Sequence, residues 1–437
     1  MTVTFKRGIH PPEHKSATEA LAITDAPRPA EVVLPLSQHT GAPCAALVDK
    51  GDEVKAGQPV GDVGAFVSAP VHASVSGVVT AVEPRPTPLG RSVECVVVEA
   101  APDDEWVLMD PLTEAERSAP QAIKDRVRAA GIVGMGGAAF PTHVKLSPPE
   151  GLAIDTLLVN GAECEPYITA DHRLMLERPG EIVSGACLLR TAIGARDLII
   201  CIEENKPDAI ESMGAACAGT DARVQVLQTK YPQGGEKQLI TAVLGRRVPS
   251  GGLPLHVGVV VNNAATALAV HDAVSAGRPL VERVVTVAGP AIPRPANLRA
   301  RLGTPFSTLV DDCGGLAETT RKVLMGGPMM GLAQTGLDVP VVKGTSCILA
   351  LEDAGEEQER PCIRCGLCVD HCPMGLVPTR LAKMVRAGDL DAAEAWGVAD
   401  CMECGSCAYV CPARIPLAQL MKYGRAQVLA RRRKASK

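Results

Sequence analysis

Residues 114 to 278 alternate short apolar runs with longer segments in which apolar side chains recur every three or four positions. Short continuous apolar runs are typical of buried strands, and the longer recurrence is typical of amphipathic helices. The pattern predicts strands at 155–160, 197–202, 223–229 and 257–262. It predicts helical segments at 114–130, 207–217, 235–244 and 266–276. This alternation indicates an α/β domain.

Short strands dominate on either side of this domain. Within residues 27–108, the stretches 48–58 and 68–79 resemble a biotinyl/lipoyl-like barrel-sandwich. Carrier domains of that kind present a modifiable lysine at a hairpin tip, but the corresponding turn here, 71–74, contains His72 and no lysine. We therefore expect an unmodified barrel that serves packing or docking. Residues 281–345 return to short strands and resemble the soluble ligand-binding β-grasp (SLBB) module.

The C-terminal part differs in composition. An acidic stretch at 351–359 predicts a linker, and a helical pattern spans 379–387. The last residues, 421–437, carry seven basic side chains and no acidic one. Such a tail is either a solvated, disordered end or a docking element for an acidic partner or an anionic lipid surface. The whole pattern predicts a multidomain α+β chain: barrel-sandwich 27–108, α/β domain 114–278, β-grasp 281–345, α-helical cysteine-rich domain 360–420 and basic tail 421–437.

Charge and hydropathy exclude several classes of protein. The 437 residues include 44 basic and 49 acidic side chains, a net charge of −5, which argues against general nucleic-acid binding. No apolar run approaches the roughly 18–20 residues of a membrane span, and the first residues have no apolar core typical of a secretory signal. We therefore expect a cytosolic protein, or one held at a membrane through its partners.

Cysteine content points to metal or redox chemistry. Sixteen cysteines would make eight disulfides, which a cytosolic protein does not keep. Eight of them form two runs with the spacing C-x2-C-x2-C-x3-C-P of two-cluster ferredoxins. In that arrangement the first three cysteines of a run hold one 4Fe–4S cluster and the fourth holds the other. The predicted sets are Cys362, Cys365, Cys368 with Cys411, and Cys401, Cys404, Cys407 with Cys372.

Structural zinc is the alternative, because zinc sites also use C-x2-C pairs. A zinc site needs four thiolates and would not require the third cysteine step and the Cys-Pro end in both runs. The two runs therefore favour an electron relay.

A glycine-rich stretch, 131–145, is the candidate terminus of this relay. Gly134, Gly136 and Ala139 fit the dinucleotide-binding fingerprint, but that fingerprint must follow a strand, and this stretch follows a helical pattern. We therefore reject a Rossmann loop. The clustered glycines still allow the backbone to approach a phosphate or a flat ring, and Lys145 can supply a cation.

This stretch resembles the NADH-binding flavoprotein subunit of respiratory complex I, in which a similar glycine-rich loop ends in Phe-Pro-Thr and a lysine. Segments 160–166, 234–236 and 261–266 resemble three further motifs of that family in the same order. The resemblance implies NADH near Phe140, with Glu165 close to the nicotinamide. It implies non-covalently bound FMN held by Gly134, Gly136, Gly137, Lys145, Asn160, Glu163, Gly235, Glu236, Asn262, Asn263 and Thr266.

The domain order and the segments 5–12, 35–43 and 140–146 resemble the RnfC family of Rnf complexes, which are ion-translocating ferredoxin:NAD+ oxidoreductases. The resemblance implies a peripheral subunit on the cytoplasmic face of the cell membrane, without a transmembrane segment of its own. It implies electron exchange between NAD(H), FMN and two 4Fe–4S clusters, with integral membrane and other subunits and ferredoxin as partners.

Two other functions stay open from the sequence. The related cobalamin reductase of bacterial microcompartments shares the flavin loop, the β-grasp module and two clusters. A flavin-less iron–sulfur relay is the third interpretation, because Ala162 and Lys237 replace acidic residues of the complex I motifs.

Overall fold

The computed structural model describes residues 2–355 and 358–435. Two glutamates of the predicted linker, 356–357, and the end of the predicted tail, 436–437, lie outside the described residues. The N-terminal part contains eight strands: β1 Ile23–Asp25, β2 Glu31–Pro35, β3 Ala45–Ala46, β4 Glu53–Val54, β5 Pro59–Asp62, β6 Val71–His72, β7 Gly77–Pro86 and β8 Ser92–Ala100.

Strands β2 to β8 form the barrel-sandwich. One antiparallel sheet has the order β2-β8-β7-β4 and the other has the order β3-β5-β6. Alternate side chains such as Val32, Leu34, Val96 and Val98 are buried between them, as expected for a sandwich with one apolar face on each sheet.

The hairpin tip that a carrier domain would expose is enclosed in this chain. His72 is 2% exposed, and the ammonium of Lys343, itself fully buried, donates hydrogen bonds to the carbonyls of Pro70 (2.6 Å) and Gly131 (2.8 Å). The tip therefore packs against the next two domains, in agreement with a barrel that serves packing.

The α/β domain follows. Its elements are α1 Glu114–Arg117, α2 Pro120–Ala129, α3 Thr142–Lys145, β9 Thr156–Gly161, α4 Ala170–Glu177, α5 Pro179–Ile193, β10 Asp197–Glu203, α6 Pro207–Ala216, β11 Ala222–Leu227, α7 Glu236–Leu244, a 3-10 turn Pro254–Val257, β12 Val259–Asn263 and α8 Ala264–Ser275. The four strands are parallel in the order β11-β10-β9-β12. Chain order reverses direction beside β9, and ligands of open α/β sheets bind at the carboxyl ends of strands at such a point.

The β-grasp module contains β13 Glu282–Ala288, β14 Ala296–Arg301, α9 Phe306–Asp312, β15 Lys322–Met325, β16 Leu332–Ala333 and β17 Cys347–Leu351. Its sheet has the order β1-β14-β13-β17-β15-β16. Strand β1, which precedes the barrel in the chain, is therefore an edge strand of the third domain, parallel to β14.

The cysteine-rich domain is helical, with α10 Leu367–Asp370, α11 Pro378–Arg386, α12 Leu390–Ala395, a 3-10 turn Val398–Asp400, α13 Ser406–Tyr409 and α14 Leu417–Ala435. Helix α14 continues through the basic tail. Arg431 pairs with Asp391 at 2.7 Å and Arg432 with Glu394 at 2.6 Å. The disordered end considered from composition is thus wrong for residues 421–435, because α12 supplies acidic partners. None of the helices in the described ranges is long and apolar enough to cross a membrane.

Residues 3–25, here called the N-terminal segment, contact three domains. Ile9 exchanges two backbone hydrogen bonds with Tyr231 of the α/β domain, each 2.9 Å. The Gly8 amide donates to His371 in the cysteine-rich domain at 3.3 Å, and β1 extends the β-grasp sheet. This segment therefore helps to fix the arrangement of the domains.

Candidate functional site

The glycine-rich loop follows helix α2, as its sequence context predicts, and folds back on itself. The Gly134 amide donates to the Phe140 carbonyl at 2.8 Å, and the Met135 amide donates to the Thr266 hydroxyl at 3.0 Å. Gly136 and Gly137 are exposed. The loop thus lies against the start of α8 and leaves bare backbone on its outer side.

Two asparagines at the carboxyl ends of neighbouring strands lie beside this loop. Asn160 and Asn263 are in register across β9 and β12. Asn160 donates to the Gly234 carbonyl at 2.9 Å, whereas the Asn263 oxygen caps α8 by accepting from the Ala265 amide at 2.9 Å. Both side chains therefore hold protein backbone in place around the predicted flavin site.

Asn262 is different because its side-chain amide has no partner among the described residues. The side chain is 3% exposed, and neither its oxygen nor its nitrogen makes a hydrogen bond within that part of the chain. An unpaired buried amide costs about 1–3 kcal/mol, so such a group indicates a ligand. The Asn262 amide carries both a donor and an acceptor, so it is suited to the edge of a flavin ring, which also presents both.

Lys145 supplies positive charge next to Asn262. Its ammonium pairs with Glu236 and donates to the Val261 carbonyl at 3.2 Å, and its side chain is 26% exposed. The loop glycines, the lysine and the unpaired amide thus suit a phosphate and a flat polar ring. By this test the residues present fit FMN.

Glu163 has a role that its motif did not indicate. Its carboxylate accepts the amides of Asp171 (2.6 Å) and His172 (3.1 Å), and so caps the start of α4, where Thr169 makes no side-chain cap. Burial raises the pKa of Glu163 to about 7, and the nearby Lys15 ammonium opposes that rise. The Glu163 carboxylate is thus already bound to backbone amides. Its assignment to FMN remains a prediction.

Glu165 contacts the β-grasp module. Its two carboxylate oxygens accept the amides of Met330 (2.9 Å) and Met329 (3.1 Å), and burial raises its pKa to about 7. Phe140 is half-buried in the glycine-rich loop. The assignment of these two residues to NADH likewise remains a prediction.

Lys15 is a site residue that sequence reasoning missed. Its ammonium is buried and donates to three carbonyls of one loop: Glu163 (2.9 Å), Glu165 (3.0 Å) and Ile168. Burial lowers the pKa of Lys15, whereas Glu163 raises it. Backbone acceptors carry no sequence signature, so nothing in the N-terminal sequence could have indicated this lysine.

The cysteines of each predicted set line a common cavity. Cys362, Cys365, Cys368 and Cys411 surround one, which we call the outer cavity. Cys372, Cys401, Cys404 and Cys407 surround a second, which we call the inner cavity. Among the described residues, no three His, Cys, Asp or Glu side chains converge closely enough for a single metal ion. The thiols therefore surround two spaces, a geometry that fits two clusters with crossed ligation.

The inner cavity lies against the α/β domain. The Tyr231 hydroxyl donates to the Cys404 carbonyl at 2.8 Å, and Tyr231 is 1% exposed. A Cβ on Gly235 would lie 2.6 Å from the terminal methyl of Met402, so the Met402 side chain packs closely on this glycine. A residue predicted to bind FMN is thus in contact with the loop that carries the inner cysteines.

A glycine-rich α/β site joined to two four-cysteine cavities defines a flavin and iron–sulfur electron-transfer protein. Comparison with known proteins narrows this class. The chain is 46% identical over 441 residues to the RnfC-type protein of the Na(+)-translocating ferredoxin:NAD(+) oxidoreductase complex of Acetobacterium woodii, covering 99% of both chains. The proton-translocating counterpart of Clostridium ljungdahlii is 46% identical over 87% of this chain and 84% of its own. The chain belongs to the RnfC family of ion-translocating ferredoxin:NAD(+) oxidoreductase complexes.

Family models match four successive segments. They are the RnfC barrel sandwich hybrid domain at 3–103, the Nuo51 FMN-binding domain at 127–272, the SLBB domain at 284–333 and the 4Fe-4S dicluster domain at 361–416. The corresponding protein of the ion-translocating oxidoreductase complex of Rhodobacter capsulatus is 44% identical over 98% of this chain and 84% of its own. The predicted multidomain architecture is thereby confirmed, and the cobalamin reductase alternative is not favoured.

Proposed function

We propose that this chain is the peripheral subunit, on the cytoplasmic face of the membrane, that exchanges electrons between NAD(H) and its partner subunits. FMN and two 4Fe–4S clusters are the proposed cofactors, and the full complex couples the exchange to ion translocation. The contact between Gly235 and Met402 is the observation that carries the proposal, because it joins the candidate flavin site directly to the inner cysteine set.

Three kinds of group in the candidate flavin site are suited to different parts of FMN. Exposed backbone of the glycine-rich loop and the Lys145 ammonium suit the phosphate, since amides and a cation both stabilise an anion. The buried Asn262 amide suits the ring edge. When bound, the flavin supplies the conversion between hydride transfer and single-electron transfer.

The remaining predicted flavin residues shape the site through the protein. Asn263 and Thr266 hold the beginning of α8 against the glycine-rich loop, and Asn160 holds the backbone at Gly234. Glu236 pairs with the Lys145 ammonium and so limits its freedom. These contacts keep the loop, the lysine and the Asn262 amide in one arrangement.

The positions of the two cavities support an order of electron transfer through the chain. The inner cysteines adjoin the α/β domain, and the outer set includes Cys365, which is exposed. We therefore propose that the inner set serves the flavin site and the outer set serves the partner. Arg364, Arg380 and Lys383 line the outer cavity, so its rim is complementary to an acidic redox protein such as a ferredoxin or a ferredoxin-like subunit.

The test is anaerobic addition of NADH to the purified, cluster-loaded chain. We expect loss of the oxidised flavin absorbance, followed by EPR signals from two reduced clusters. Lys145→Ala should lower the flavin content severalfold and leave the iron content unchanged. Lys322→Ala, at a lysine of the β-grasp module that donates to the Ala354 carbonyl, is the matched control. A folded, cluster-loaded protein that releases no flavin on denaturation would instead be the flavin-less relay.

A further inference from the structure

The barrel-sandwich packs against the glycine-rich loop. The Thr40 amide donates to the Ala139 carbonyl at 3.2 Å, and the Thr40 hydroxyl donates to the Ala138 carbonyl at 2.8 Å. Ala138 follows the exposed glycines directly in the sequence. The barrel therefore touches the part of the loop that the α/β domain leaves uncovered.

Phe66 belongs to the same barrel-sandwich, and contacts with α3 hold it in place. Its carbonyl accepts a hydrogen bond from Nε2 of His143 at 2.9 Å, and the two rings pack edge to face with centroids 5.8 Å apart. His143 is buried in α3, the short helix that ends at Lys145. The next residue, Val67, accepts the Ala42 amide at 2.9 Å, two residues after Thr40. Phe66 is thus held against α3, and its neighbour Val67 is held against the chain that directly follows Thr40.

The Phe66 side chain is nevertheless 60% exposed. Burial of a phenylalanine ring is favourable, so a ligand that covers this anchored but exposed ring gains binding free energy. The α/β domain offers few other rings here. The chain has ten aromatic residues in all, and Lys145 is followed by the non-aromatic Leu146, Ser147 and Pro148.

We propose that Phe66, from the barrel-sandwich, is a binding residue for NAD(H), and that one of the flat rings of the dinucleotide stacks on its exposed face. The nucleotide site is then shared between two domains, with Phe140 on the α/β side and Phe66 on the barrel side. This inference rests on the proposed function, because it identifies a contact for its substrate.

Phe66→Ala tests the proposal. Stacking that is equally strong in the ground state and in the transition state raises KM on removal and leaves kcat unchanged. We expect KM for NADH to rise about tenfold, which corresponds to about 1.4 kcal/mol. Flavin content and iron content should match the wild type. Phe66→Tyr and Phe66→Trp should keep a KM close to that of the wild type.

Leu47→Ala is the matched control, since Leu47 is a 56% exposed apolar residue on the same barrel. Its KM should not change. Calorimetric titration with ADP-ribose, which has the adenine ring but no nicotinamide, reads binding without electron transfer. A weaker affinity of Phe66→Ala for ADP-ribose assigns the stack to adenine. An unchanged affinity together with a raised KM for NADH assigns it to nicotinamide.

Two results would overturn the inference. One is a KM for NADH and an ADP-ribose affinity both within twofold of wild type in Phe66→Ala. The other is an equal rise of KM in Leu47→Ala. Failure of the proposed function looks different, because the wild-type chain itself would then not be reduced by NADH.

Discussion

The inner and outer cysteine runs have the same spacing but different surroundings. Gly405 of the inner run and Gly366 of the outer run both have left-handed backbone, with φ of +78° and +84°. A Cβ on Gly405 would lie 3.0 Å from the Met329 carbonyl of the β-grasp module, whereas the nearest atom to a Cβ on Gly366 is an Asp370 oxygen at 3.9 Å. One turn is pressed against another domain, and its counterpart is open.

The same contrast continues across the two runs. Met402 contacts Gly235, whereas Ile363, at the equivalent position of the outer run, is 68% exposed. Equal spacing therefore specifies how each run can hold a cluster, and the packing specifies what each cluster adjoins. The inner run is a junction within the chain, whereas the outer run faces outward, as its proposed role towards a partner requires.

Loss of one cluster at a time tests this contrast most directly. Cys401→Ala should remove about half of the iron and abolish electron transfer from NADH to an external acceptor, because the junction is lost. Cys362→Ala should also remove about half of the iron, yet one cluster should still be reduced by NADH. Iron analysis and EPR after NADH addition distinguish the two variants.

Equal behaviour of the two variants would contradict the assignment of an inner and an outer set. Cys187→Ala, at a half-buried cysteine of α5 outside both runs, is the control and should keep all of the iron.

A smaller effect is expected where the inner run is braced by the β-grasp module. Glu165 holds the amides of Met329 and Met330, and its pKa is about 7 in the folded protein, above the ordinary value of 4.5. A raised carboxyl pKa contributes stability that is complete below about pH 4.5 and is lost as the pH rises through 7. The loss is on the order of 3 kcal/mol, since each pKa unit corresponds to 1.36 kcal/mol.

Glu165→Gln removes this titration. The thermal unfolding midpoint of the wild type should fall between pH 5 and pH 8 by more than that of the variant. The readout is the difference between the two pH values, because the exchanged amide also costs about 1 kcal/mol at any pH through a lost acceptor. Glu352→Gln, at an exposed glutamate directly after β17, should behave as wild type, and an identical pH dependence in Glu165→Gln would refute the interpretation.

The smallest effect is expected at the hydroxyl that joins the α/β domain to the inner run. Tyr231→Phe leaves the Cys404 carbonyl without its donor, at a cost of about 1 kcal/mol. Hydrogen bonding near a cluster adjusts its reduction potential, so a redox titration followed by EPR should show a shift of one cluster only. Tyr409→Phe, a half-exposed tyrosine of α13, is the control. Equal shifts of both clusters would contradict the asymmetric packing.

Local patterns predicted much of the α/β domain. Strand β9 was predicted at 155–160 and is found at Thr156–Gly161, because buried parallel strands read as continuous apolar runs. Helix α7 was predicted at 235–244 and is found at Glu236–Leu244. The position of the glycine-rich loop after a helix was also predicted correctly.

The features that the sequence did not predict depend on contact partners that are distant along the chain. Strand β1 has only three residues and pairs with β14, so no local periodicity marks it. Lys15 is bound by carbonyls about 150 residues away, and backbone acceptors are independent of side-chain type. The inner and outer roles of the two runs could not be predicted, since their spacing is identical and only tertiary packing distinguishes them.

The N-terminal segment has a contact partner that is synthesised much later than the segment itself. Arg7 donates to the carbonyl of Val369, which is 362 residues further along the chain, at 3.3 Å. At about 5–20 residues per second, this segment waits tens of seconds after its own synthesis for that partner to be made. Because metal ligation and folding are coupled, the partner loop acquires its shape together with its cluster. The N-terminal segment can thus dock on the cysteine-rich domain only after that loop has been made and has taken its shape.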